Sequence, residues 1–230
     1  MELPVDFCVI MTVWNFNHMI EFVINRALSL FDHIIVLDTG STDGSVQTLK
    51  RLQEKGLIEF YHYVKERGAG RDANFLLEKA NVYKPKWIVK LDHDEYYEDC
   101  LYDELDTIKN LPPKYGWVSS RRITLWRNTG MYRIDGKYRW FRENTMFRWR
   151  EGLKYPQNAI HHMERIPEEL RKFKNYKTKA RLIHLSQTDE ERVKLQIERL
   201  REFDRDWSGN LMPEKVKLKP FRERLRKSQT

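Results

Sequence analysis

The sequence predicts an α/β fold with a mostly parallel central sheet flanked by helices, and three observations lead there. Short apolar, β-branched runs recur at residues 7–13, 33–37, 58–64 and 87–91. The stretches between them carry apolar residues at helical spacing. Two of the runs lead straight into acidic turns, Asp38-Thr39-Gly40-Ser41-Thr42-Asp43-Gly44-Ser45 and Asp92-His93-Asp94-Glu95. Runs this short and this continuously apolar suit strands buried on both faces. Strands and helices alternating at such spacing form parallel sheets with right-handed crossovers, and ligands bind outside the carboxyl ends of their strands. Both acidic turns fall at such ends.

The first helix is marked by Met19, Ile20, Val23, Ala27 and Leu30, with Asn17 as its N-cap. Val46, Leu49 and Leu52 mark the second, closed by Gly56 at C′; Ser41 or Thr42 is placed to cap its start. Ala73, Leu76, Leu77 and Ala80 mark the third. After Pro112-Pro113 the chain turns aromatic and basic, with Trp117, Trp126, Trp140, Phe141, Phe147 and Trp149 interleaved among arginines. Strands are expected at 118–125, 145–149 and 180–185, and Asp135-Gly136 reads as a tight hairpin turn within 132–140. A helix is expected from about 189 to 203, then a polar, basic tail from Ser208 that packs loosely. No repeat or linker breaks the chain.

Composition bounds the function. The 230 residues suit one large domain or one domain with an extension. With 40 % apolar and 13 % aromatic residues, the chain can bury a core, which excludes wholesale disorder. Lys and Arg number 42 against 34 Asp and Glu, a net charge of +8 that suits anionic partners. Cys8 and Cys100 form no disulfide framework and sit at no metal-ligand spacing, which favours a reducing compartment. No apolar stretch is long enough to span a membrane, and Met1-Glu2-Leu3-Pro4 lacks the basic region of a signal peptide. The expectation is a soluble cytoplasmic protein.

The chemistry lies in the acidic turns. Asp92 and Asp94, at i and i+2 after a buried strand, can share a divalent cation or divide the work between metal and ribose hydroxyls. Magnesium or manganese suits ligation by carboxylate and diphosphate oxygens and neutralises a diphosphate leaving group. Asp38 at the other strand end can accept from a base N–H or from ribose hydroxyls.

The segments FCVIMTVWN, VLDTGSTDGS, GAGRDANFLLEKA and WIVKLDHDEYY, in this order and spacing, resemble family-2 glycosyltransferases of the GT-A fold over roughly residues 5–100. The resemblance implies a nucleotide-sugar half, 1–110, and a smaller mixed β acceptor half, 111–206. Together they make one catalytic domain over 1–206, with 207–230 as a basic extension. It implies nucleotide contacts from Thr12, Trp14, Asp38 and Asp92, and a Mn2+ or Mg2+ site at Asp92 and Asp94. The family's adjacent Arg-Asn pair becomes Arg71 and Asn74 here, three positions apart, and the resemblance implies Arg71, or alternatively Arg67, as a nucleotide contact to the diphosphate or base. The later segments TMFRW, AIHHMERI and LIHLSQTDEERVKLQIERLREF are similar to those of lipopolysaccharide-core and related members. They make His184 and His161 rival metal ligands, while His162 stands where the family has Glu. Glu143 is the first choice for the acceptor-side general base, ahead of Asp135 and Glu164.

The implied activity is metal-dependent, inverting transfer from a nucleotide sugar, UDP-linked by this resemblance, to a glycan, lipid or protein acceptor. The basic aromatic region also suits contact with a membrane surface. A nucleic-acid-binding protein is the alternative from another class. It leaves both acidic turns unexplained, so no nucleic-acid partner is expected. A catalytically inactive member of the same fold is the other alternative.

Overall fold

The computed structural model describes residues 5–63, 68–157, 165–191, 193–194, 198 and 216–227. Its first half follows the predicted alternation: β1 (Phe7–Val13), α1 (Asn17–Leu28), β2 (His33–Asp38), α2 (Ser45–Glu54), β3 (Glu59–His62), α3 (Ala69–Ala80) and β4 (Trp87–Asp92). β1 pairs in parallel with β2 and β4, and β2 in parallel with β3. Alternate residues of β1 serve two cores. Val9, Met11 and Val13 pack with Ile20, Val23, Ile24 and Ala27 of α1. Cys8 and Ile10 pack with Ala73, Leu76, Leu77 and Ala80 of α3 on the other face. That double burial is why the strand reads as a continuous apolar run. Ile10 is 1 % exposed, and truncating it to Ala costs about 2–5 kcal/mol.

The second half holds β5 (Glu95–Tyr97), α4 (Tyr102–Lys109), β6 (Tyr115–Thr124), β7 (Met131–Arg133), β8 (Arg142–Arg148), β9 (Lys174–His184) and β10 (Leu218–Pro220). One 8-stranded sheet runs β3-β2-β1-β4-β8-β6-β9-β5, and β7 pairs with β10 in a second, 2-stranded sheet. β8 enters antiparallel between β4 and β6, β9 lies parallel to β6, and β5 runs antiparallel to β9. The sheet is thus mixed and mostly parallel, as predicted.

Several local expectations change. Phe16, not Asn17, holds the N-cap position of α1, with no side-chain cap of its own. Asp135-Gly136 makes no tight hairpin. Gly136–Arg139 forms a 3-10 turn, the Asp135 carboxylate binds Arg133, and β7 pairs with β10 rather than with β8. The predicted 189–203 helix lies mostly outside the described residues. Gly56 does close α2, at a φ of 69° that favours glycine.

Residues 216–227 are docked rather than loose. Ile134 N donates to Lys217 O at 2.8 Å, Phe221 N to Gly130 O at 2.8 Å, and Arg224 N to the buried Glu98 carboxylate at 2.9 Å. Arg26 of α1 pairs with Glu223, and Arg226 pairs with Asp99. Elsewhere the two halves meet backbone to side chain. Asn74 of α3 accepts from Tyr155 N at 2.7 Å and donates to Tyr155 O at 2.9 Å. A Cβ at Gly70 would fall 1.7 Å from the Pro156 carbonyl oxygen, so only glycine lets this segment lie on α3.

Candidate active site

Strand register assembles the mouth of the sheet. Thr12 pairs with Leu37 on one side and with Asp92 on the other. Val13 pairs with Asp38, and Asp38 with His62. Thr12, Asp38 and Asp92 therefore stand at the carboxyl ends of three neighbouring strands, where α/β sheets bind ligands.

The β2–α2 turn is internally saturated. The Asp38 carboxylate is 0 % exposed, and its Oδ1 accepts from Gly40 N and Ser41 N, each at 2.9 Å. His62 Nδ1 lies 3.1 Å from the same oxygen, and Ser41 Oγ donates to Oδ2 at 2.5 Å. The rest of the turn caps the other helix. Ser41 Oγ, Ser45 Oγ and Asp43 Oδ2 accept from the N–H groups of Asn15, Phe16 and Asn17 at 2.8, 3.0 and 2.9 Å. Asn15 Oδ1 accepts in return from Thr42 N at 2.7 Å. These bonds satisfy donors at the entry to α1 that a helix leaves orphaned. α2 itself starts at Gly44 without a side-chain cap, contrary to the expectation for Ser41 or Thr42. A cavity of about 370 Å³ lies along the turn, lined by Gly40, Ser41, Thr42, Gly44, Val46, Gln47 and His62.

The β4–β5 turn is built differently. β5 leaves β4 after two intervening residues yet pairs with β9, Glu95 opposite His184. Leu185 N donates to Asp94 O at 2.8 Å, which fixes the turn on the end of β9. The consequence is a pair: His184 Nε2 lies 3.6 Å from Asp94 Oδ2, with the two side chains 14 % and 9 % exposed. Burial lowers the His184 pKa to about 4, against the pull of Asp94, so the imidazole is neutral at physiological pH and has a lone pair to offer. Ser186 Oγ lies 3.0 Å from the other ring nitrogen, a partner that can orient the ring.

Asp92 stands apart from this pair. Its side chain is 44 % exposed, and its Oδ2 takes the Arg165 guanidinium at 2.5 Å. Arg165 also forks onto the fully buried Glu95, Nη1 to Oε2 at 2.7 Å and Nη2 to Oε1 at 2.8 Å. Its Nε lies 3.7 Å from Glu143 Oε1, and Arg122 Nη1 binds Glu143 Oε2 at 3.1 Å. Burial alone would raise the Asp92 pKa, but the Arg165 and Lys90 cations hold it below the ordinary carboxylate range. Burial and the charges of Asp92 and Asp94 push Glu95 upward, against Arg165. The Lys90 ammonium rests 4.9 Å from the Tyr155 ring centroid, and burial together with Arg165 brings its pKa down to about 8.

The Thr12 carbonyl lies 3.1 Å from His93 Nδ1, and Trp14 is half-buried in the β1–α1 loop. Arg71 is exposed on the first turn of α3, beside Tyr63 and Asp72, while Asn74 is spent on the Tyr155 clamp. His161, His162, Glu164 and Arg67 lie outside the described residues. The residues given no role from sequence are Lys90, Arg122 and Arg165, which surround the expected acids with counter-charges, and Glu95, the buried acid that Arg165 forks onto.

A divalent cation fits Asp94 and His184: one carboxylate and one neutral imidazole, both held from behind. Among the described residues no cluster of three or more His, Cys, Asp or Glu forms a complete cage. A cation there would need further oxygen ligands, such as those of a bound phosphate group. Manganese and magnesium accept such mixed ligation.

The mixed, mostly parallel sheet matches the fold of solved GT-A glycosyltransferases. The chain belongs to glycosyltransferase family 2, whose sequence model, "Glycosyl transferase family 2", matches residues 8–165. Three solved structures show the same fold. The mannosyltransferase PcManGT from Pyrobaculum calidifontis, in complex with GDP-Man and Mn2+, superposes with a TM-score of 0.58 at 15 % identity, over 87 % of this chain and 62 % of its own. GalNAc-T7 with UDP, GalNAc and Mn2+ gives 0.58 at 10 %, over 82 % and 45 %. TarS of S. aureus gives 0.55 at 15 %, over 85 % and 40 %. The chain thus spans 40 to 62 % of the lengths of these proteins. No curated protein sequence matches it.

Proposed function

We propose that the chain transfers a sugar, with inversion, from a UDP-linked donor to an acceptor at the β8–β9 side of the mouth, using a divalent cation. One observation carries this reading: the β5–β9 pairing sets Asp94 against a neutral His184 beside the row of Thr12, Asp38 and Asp92. The cation, held by Asp94 and His184, would neutralise the departing diphosphate. Asp92, exposed and ion-paired through Oδ2, suits ribose hydroxyls, and the open half of Trp14 suits the nucleobase. Asp38 would act through the turn it shapes, because its oxygens are already occupied. Arg71 is proposed as an outer diphosphate contact and His161 as a rival cation ligand. Support for UDP comes from the family resemblance and from the solved TarS fragment in complex with UDP-GlcNAc, although PcManGT carries GDP-Man.

Glu143 is the proposed base toward the acceptor hydroxyl. It lies on β8 opposite Ser120, 13 % exposed, where Arg122 and Arg165 keep it oriented. The domain reading remains one catalytic unit over 1–206 with an extension over 207–230, whose described part docks on β7 and Glu98.

The nucleic-acid alternative loses its main support. Arg142 donates to the Ser119 and Thr178 carbonyls, Arg148 to those of Tyr115 and Leu111, and Arg133 stacks on Tyr138, so these arginines hold the fold together. Trp140 is different: 71 % exposed, with Arg139 4.9 Å from its ring. An exposed Trp beside bases suits the cytoplasmic surface of a membrane, and no helix among the described residues is long and apolar enough to cross one. Release of UDP from a UDP-sugar panel, with and without manganese, tests the function. Metal-dependent release is expected; its absence with every donor removes the proposal.

A further inference from the structure

We infer that Arg165 is the positioning residue of the donor-reading acid, a role that rests on the function proposed above. The geometry grips Asp92 at both ends. Its backbone N–H donates to Glu95 Oε2 at 3.2 Å, and its carboxylate takes Arg165 Nη2 at 2.5 Å. Glu95 and Arg165 are themselves joined by two parallel hydrogen bonds. Such a fork fixes direction as well as distance.

The gripping pair is rigid because it is fixed from behind. Glu95 is 0 % exposed, and a buried carboxylate requires a matched partner. The Arg165 carbonyl accepts from Tyr155 Oη at 2.8 Å, and its Nη1 lies 3.4 Å from the Lys90 carbonyl. Asp92, by contrast, keeps 44 % of its side chain open to a ligand. A half-exposed acid on a buried mount is what reading a ribose or similar hydroxyl pair requires: the mount removes the rotamer freedom that binding would otherwise have to freeze. The same bond occupies Asp92 Oδ2, which leaves the cation to Asp94 and His184. Lysine cannot reproduce this arrangement, because one ammonium has no planar fork to span two carboxylates.

The test measures UDP affinity in the presence of manganese for wild type, Arg165→Gln, Arg165→Lys, Asp92→Ala and the Arg165→Gln/Asp92→Ala double variant. Thermal midpoints and the manganese concentration for half-saturation are recorded for each. Both Arg165 variants should bind UDP about 10- to 100-fold more weakly, the usual cost of losing an orienting partner. Their donor KM should rise more than kcat falls. The manganese requirement should not increase, since Arg165 touches neither Asp94 nor His184 in the contacts above. In the Asp92→Ala background, Arg165→Gln should cost less than about twofold, because the residue it positions is gone. Arg165→Lys keeps a cation against Glu95, so it reports on positioning even where Arg165→Gln fails to fold. Wild-type affinity in Arg165→Lys, or an additive loss in the double variant, overturns this role alone. A folded wild type that binds no UDP overturns the proposed function and this role with it.

Discussion

The two acidic turns begin alike, each an aspartate closing a buried parallel strand, and end as opposites. At Asp38 every acceptor is used within the neighbourhood: two backbone N–H groups, Ser41 and His62, while Ser41, Asp43 and Ser45 tie down the entry to α1. At Asp92 and Asp94 the partners come from far along the chain, Arg165 and His184, and part of the acceptor capacity stays open. A carboxylate at a strand end thus marks a place and not a task. Satisfied acceptors build a wall; partly unspent acceptors on fixed mounts can bind.

The contrast can be broken by mutation, beginning with the largest effect. Asp94→Ala should lower donor turnover about 10³-fold, the scale of losing preorganised charge stabilisation. Asp94 is buried but faces a neutral His184 rather than a set of backbone donors, so the variant's unfolding free energy should fall by about 1 kcal/mol, less than at Asp38. Urea unfolding that shows a loss as large as at Asp38 would erase the distinction between the turns. Asp38→Ala should cost about 3 kcal/mol of stability, since buried donors to a charged acceptor lose their partner. Parallel urea titrations of the two variants compare them directly. Chelation should act only on the second turn. UDP at about a hundred times its Kd should add about 2.7 kcal/mol with manganese present and nothing after EDTA, the ligand-free midpoint staying put. Asp43→Ala, which removes a cap from α1, should cost about 1 kcal/mol with donor affinity retained, as circular dichroism melts and UDP titration can show.

Much of the first half was legible because its signals are local. A strand such as β1 announces itself by seven residues, FCVIMTV, in which both faces are buried. The acid at its neighbour's end needs only the next few residues to be recognised. In the second half the determinants are distant. β5 is three residues long and takes its place from pairing with β9, so nothing near Asp94 announces His184. Arg165 comes to the acids through the Tyr155 contact and ordinary surface-like sequence around it. β8 starts at Arg142 because Glu143 and Asn144 pair across to Ser120 and Ser119, although their side chains carry no strand signal. The Asp135-Gly136 turn misled for the same reason: β7 pairs with β10, from the far end of the sequence, and not with β8. Arg133, Arg142 and Arg148 belong to the basic aromatic region that suited a nucleic acid, yet their guanidinium groups turn inward to carbonyls and rings.

The bare position at Gly70 carries a consequence beyond its own neighbourhood. Pro156 rests against α3 there, and one residue earlier Tyr155 reaches both Asn74 and the Arg165 carbonyl. A single methyl group added at residue 70 would work as a wedge under a lever, prising the strap off the helix and tilting its far arm at Arg165, beside the acids at the mouth of the sheet. Weakened donor binding with Asp94 and His184 undisturbed would then originate in a helix that carries neither of them.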